Sequence, residues 1–166
     1  MINNKFLSAT IIIGGLSAAA PASLAADSFG SATATISRIL TVAETSSLDF
    51  GTIAISPLSG VVTLSAAGTA STTIPAAQVT GSIAAAQFLV SGDPNAIVSI
   101  SFSSGDTLTG PGSAMSLQDF SHDAGSTPTI GPDGNLVFRV GASLAVNANQ
   151  STGAYAGQYT VTINYN

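Results

Sequence analysis

The chain's single histidine, His122, stands in Asp119-Phe120-Ser121-His122-Asp123, which holds the three residue types of a nucleophilic triad within one short stretch. A triad needs its hydroxyl, imidazole and carboxylate to converge on one point. Neighbouring residues of a strand turn to opposite faces, so Ser121 and His122 cannot form one together. No nucleophile-elbow glycine pattern accompanies any other serine, and His122 reads as a surface-loop residue. Metal chemistry has as little to work with. Cysteine is absent, and one histidine makes no zinc set. Asp93-Pro94-Asn95 and Asp133-Gly134-Asn135 offer oxygen ligands, yet such groupings are ordinary turn chemistry and lack the alternating acids of a calcium loop. Asp119 and Asp123 are the closest pair of acids for glycoside chemistry, with no further feature beside them. Gly110-Pro111-Gly112 has neither the lysine nor the helix of a phosphate cradle. The expectation is no enzyme, no cofactor, and no catalytic or metal site.

Three tyrosines remain as candidates for stacking on a sugar ring: Tyr155, Tyr159 and Tyr165. Tyr159 and Tyr165 share an alternation with Val161 and Ile163, which favours a place on a sheet face or in the core. The elements that hold such residues follow from the composition and the pattern.

The start of the chain is not part of the fold. Lys5, the apolar run Phe6 to Leu16 and a small-residue exit through Pro21, Ser23, Ala25 and Ala26 make a secretory signal peptide over residues 1–26. Cleavage falls after Ala25 or Ala26. A membrane anchor needs about 20 apolar residues, and Gly14, Gly15, Ser17 and Pro21 interrupt this run. Residues 27–166 are long enough for one domain with a core. Once Lys5 is removed, Arg38 and Arg139 face eight acids, a net charge near −6. That balance excludes nucleic acid and anionic lipid as partners, because phosphate finds no counter-charge. Without cysteine, an exported domain of this size rests on its core alone.

Short alternating stretches separated by turn clusters fill the rest. A first strand is expected over residues 32–43, bent near Arg38, with Ala32, Ala34, Ile36, Leu40 and Val42 on one face. Shorter ones follow at 48–53 and 61–64. Ile83 to Ala86 has helical propensity, but Phe88 and Val90 extend a two-residue period, and alternation returns from Ala96 to Phe102. Further strands are expected at 114–120, at 136–140, and, after Gly141, at 142–148. No window shows a sustained helical period. About eight or nine short strands at roughly 8–12-residue spacing predict a single all-β domain, an antiparallel, immunoglobulin-like β-sandwich.

The last fourteen residues are the best patterned. From Tyr159 onward Tyr159, Val161, Ile163 and Tyr165 alternate with Thr160, Thr162, Asn164 and Asn166. A penultimate aromatic, alternating apolar residues before it and Gly153 fourteenth from the end resemble the closing strand of chaperone–usher fimbrial subunits. That resemblance implies an incomplete sandwich whose missing strand comes first from a chaperone and then from a neighbouring subunit's N-terminal extension, a form of β-augmentation. Over nearly the whole exported chain, Leu48-Asp49-Phe50-Gly51, Val140-Gly141-Ala142-Ser143-Leu144 and Gly153-Ala154-Tyr155-Ala156-Gly157-Gln158-Tyr159 resemble a family of secreted bacterial proteins known as domain of unknown function 4402. Its layout is similar to that of the spore-coat-U-like pilins.

Two features depart from the fimbrial pattern: there is no cysteine for the usual disulfide, and only Asp27 to Ser31 precede the first expected strand. Either residues 27–42, with Ala32, Ala34 and Ile36, are themselves the donor strand, or the domain is complete and does not polymerise. The expected function is an exported fimbria-like or coat subunit, periplasmic or on the cell surface. Its partners would be copies of itself or related subunits and a periplasmic chaperone. The alternative is a self-contained, glycan-binding adhesion module using loops 103–113 and 119–135.

Overall fold

The computed structural model describes residues 26–54, 56–74 and 79–166. The expected signal peptide, up to Ala25, and the Pro75-Ala76-Ala77 segment lie outside the described residues. The chain divides after Thr35. Residues 26–35 are exposed and carry no strand, and all that follows concerns Ile36–Asn166.

Among the described residues eleven strands account for the regular structure, and there is no helix. They are β1 (Thr41–Ser46), β2 (Thr52–Ile53), β3 (Gly60–Leu64), β4 (Ala70–Thr72), β5 (Val79–Thr80), β6 (Ala86–Ser91), β7 (Val98–Phe102), β8 (Thr107–Leu108), β9 (Met115–His122), β10 (Asn135–Val146) and β11 (Val161–Tyr165). Every pairing is antiparallel. The all-β expectation therefore stands. The alanine-rich stretch at 83–86 enters β6, its helical propensity overridden by the ladder that Ala86 makes with Val140.

The organising element is β10. Val140 is in register with both Ala86 of β6 and His122 of β9, and Ser143 with both Thr63 of β3 and Gln118 of β9. A residue has only two sides to pair on, so β6 and β3 follow one another along one edge of β10 while β9 runs along the other. Gly141 marks the changeover. A Cβ there would lie 2.5 Å from the Ser65 carbonyl carbon and 2.6 Å from the Ala66 nitrogen, both backbone atoms. Only glycine admits so close an approach. The sequence had suggested two strands broken at Gly141. There is one strand, because the glycine serves the approach of a neighbour, and the even-numbered apolar face from Leu136 to Val146 continues through it.

That face feeds both halves of the core. Phe138 and Val140 pack with Phe88, Val90, Val98 and Ile130. Ala142, Leu144 and Val146 pack with Phe50, Val62, Leu64, Met115 and Leu117. The separate β7–β11 pair turns Ile100, Val161, Ile163 and Tyr165 onto the first of these clusters.

The first expected strand is displaced. β1 begins at Thr41, and residues 26–40 carry no strand, with Ile36 and Ile39 exposed. Arg38 explains the late start. Its N–H donates to the Asp93 carboxylate at 2.8 Å, so its backbone is spent on a loop rather than on a ladder.

Candidate functional site

The C-terminal stretch is fixed at three points before it becomes β11. Gly153 has φ +140°, and a Cβ there would meet the Pro111 ring at 2.6 Å. The Tyr155 hydroxyl donates to the Ser151 carbonyl at 2.9 Å. Its ring lies so close to Gly110 and Gly112 that neither position has room for a Cβ. Ala156 and Thr109 exchange backbone hydrogen bonds of 3.0 and 2.8 Å. Then β11 pairs β7 through Val161↔Phe102, Ile163↔Ile100 and Tyr165↔Val98. The Tyr165 hydroxyl accepts from the Asp93 N–H at 2.8 Å and donates to the Arg38 carbonyl at 3.2 Å. Two of the three candidate sugar-stacking tyrosines thus have structural work.

Among the described residues, β11 pairs only β7, and β1 pairs only β6. Each keeps one unpaired backbone edge. Between the first and last parts of the fold runs a groove, in two cavities of about 700 and 570 Å³ that share Leu48, Phe50, Leu108 and Gly157 as lining. Val42, Glu44, Tyr159, Thr160 and Val161 are among the lining of the smaller cavity, and Ile53 and Gln150 to Gly153 among that of the larger. The floor is core, including Met115, Leu117 and Leu144.

All six residues of β1 are exposed. Registers show which of them face inward. Val42 lies in a row with Val90 and Leu136, and Glu44 in a row with Phe88 and Phe138. Directly paired residues share a face, so Val42 and Glu44 project on the core side of the sheet. Val42 is nevertheless 43% exposed, since no described residue covers it.

Beside the groove, six aromatic side chains form a closed circuit. Phe88 stacks on Phe138 at 5.6 Å, Phe138 meets His122 edge-on at 6.1 Å, and His122 lies 6.2 Å from Phe102. Phe102 stacks on Phe120 at 5.2 Å, Phe120 lies 5.0 Å from Tyr159, and Tyr159 meets Phe88 edge-on at 6.4 Å. This circuit contains His122 Nδ1 and Tyr159 Oη, two buried polar atoms without a hydrogen-bond partner. Burial, aided by the Glu44 carboxylate, pushes the Tyr159 phenol above its ordinary value.

His122 is therefore no loop residue. It closes β9, half-buried among phenylalanines, while Ser121 beside it is exposed, as the alternation argument required. Asp123, the nearby acid, accepts from the Arg139 N–H at 2.7 Å. No group of three or more metal-ligating side chains occurs among the described residues.

Of the residues singled out in the closing strand, Tyr159, Val161, Ile163 and Tyr165 all pack against the core, and Tyr159 and Val161 also line the groove. Ala32 and Ala34 belong to the separate N-terminal unit, and Ile36 is exposed. Sequence reasoning missed Glu44. It has the parity of Leu40 and Val42, and a charge on that face was the available signal.

The molecule is an antiparallel β protein whose core opens to solvent along a groove between its first and last strands. The chain belongs to the DUF4402 family, a domain of unknown function, whose model matches residues 40–165. No match was found among curated proteins or solved structures.

Proposed function

We propose that this protein is an exported structural subunit, fimbria-like or coat-forming, built as an immunoglobulin-like β-sandwich that lacks one strand and is completed by a strand from another chain. The observation that carries this reading is the groove. Its floor is hydrophobic core, Val42 and Glu44 of β1 and Val161 of β11 line it, and each of these two strands keeps one edge unpaired among the described residues. An unpaired edge is a template for a further strand. A strand laid in the groove would gain backbone hydrogen bonds and cover Val42, Leu48 and Phe50. A related subunit or a periplasmic chaperone would supply it.

The signal-peptide pattern of residues 1–26 supports export. Tyr165, packed against the core, is poorly placed to stack on a sugar, which weakens the alternative of a self-contained glycan-binding module.

Amide hydrogen exchange tests the reading. In the isolated chain the outward amides of β1 and β11 should exchange rapidly, and they should become protected in assembled material recovered from cells. Rapid exchange at both strands in the assembled form would defeat strand complementation.

A further inference from the structure

We infer that the strand filling this groove is a basic one from a different protein: an extended segment, apolar on its core-facing side, with a lysine or arginine set over Glu44. The inference rests on the strand-complementation reading and identifies the partner that reading leaves open.

Glu44 projects on the core side of β1, in one row with Phe88 and Phe138, and lines the groove together with Thr160 and Val161. Its carboxylate has no hydrogen-bond or ion-pair partner among the described residues, and while the groove stands open water solvates it. A strand laid over β1 removes that water. A carboxylate buried without a counter-charge is strongly disfavoured, so a strand that sets a cation over Glu44 is favoured over one that does not. The Tyr159 hydroxyl offers one neutral donor nearby, which leaves the charge itself unanswered. Asp49, the other acid of the groove, is already engaged by the Gly51 N–H at 2.8 Å. No lysine or arginine lines either cavity.

With residues 1–26 and their Lys5 removed on export, as proposed above, a second copy of this chain has no free cation to supply. Residues 27–37 contain no lysine or arginine and add Asp27. The next residue, Arg38, is held to its own body on both sides of its peptide unit: its N–H by Asp93 and its carbonyl by Tyr165. Arg139 is inside β10. The charge pattern thus favours a foreign strand and rejects the chain's own N-terminal segment.

Fluorescence anisotropy with labelled peptides decides this. The full chain is refolded with threonine–valine alternating peptides in which one lysine is moved through the groove-facing positions, with norleucine counterparts, and with a peptide of residues 27–37. At one register the lysine peptide should bind about tenfold or more tighter than its norleucine counterpart. In Glu44→Gln that preference should shrink to about twofold or less, and the 27–37 peptide should bind more weakly than the best lysine peptide. Glu44 is exposed on an edge strand, so the variant should fold. Equal binding of lysine and norleucine peptides at every register overturns the charge rule and leaves strand complementation standing, as does a preference that survives in Glu44→Gln. Tightest binding by the 27–37 peptide makes a second copy the occupant and overturns the inference. Binding of no peptide defeats the complementation reading and this inference with it.

Discussion

The Tyr165 hydroxyl donates to the carbonyl of Arg38, 127 residues earlier in the chain. One side chain thus ties the penultimate residue to the segment that leads into β1, and its oxygen also receives the Asp93 N–H. The end of β11 is thereby fastened to the segment that enters β1.

Tyr165→Phe should lower the unfolding free energy by about 1–2 kcal/mol, since it removes one donated and one accepted hydrogen bond while keeping the ring. Urea denaturation of the variant against the parent measures this, and an unchanged midpoint would show the clasp to be idle.

Tyr159→Phe should behave in the opposite way. Its hydroxyl is buried without a partner, so the variant should match or exceed the parent at neutral pH. The pH dependence gives a second check. Burial raises the folded-state value above 10.0, so in alkali the unfolded chain loses this proton first. The stabilisation is complete below about pH 10 and declines as pH rises from there toward the folded-state value. The parent should lose stability over that range more steeply than Tyr159→Phe.

Gly141→Ala should be among the most damaging small changes in the chain. The added methyl would press on the backbone of Leu64 to Ala66, which cannot rotate away as a side chain can. A loss of about 2–3 kcal/mol or failure to fold is expected, read from thermal melts and soluble yield. A melt within a degree or two of the parent would mean that the strand crossing yields easily.

His122→Phe should leave stability unchanged or raise it by up to about 1 kcal/mol, because the imidazole Nδ1 has no partner to lose. A loss above about 2 kcal/mol would reveal a hydrogen bond that the aromatic circuit conceals.

Alternation carried most of the fold. It placed β3, β6, β7, β9 and β11 to within a few residues, because each has one covered face and period two is a local property. It failed where the deciding partner is distant. Nothing near Gly141 distinguishes a strand break from a crossing, since the contact is with Leu64 to Ala66. The late start of β1 depends on Asp93 capturing the Arg38 amide across 55 positions. The groove was half legible: Tyr159 and Val161 declared themselves in the closing pattern. Glu44 did not, because its meaning depends on registers with Phe88 and Phe138 that only the assembled sheet defines.

The place of β10 in the chain has a consequence for timing. β3, β6 and β9 all precede it, and all three need it as their partner. A polypeptide that emerges amino end first therefore cannot close its main sheet until residue 146 has arrived. Pairings as distant as Thr63 with Ser143 form slowly and leave sheet edges bare meanwhile. The nascent chain stays unlocked and threadable until β10 has been made.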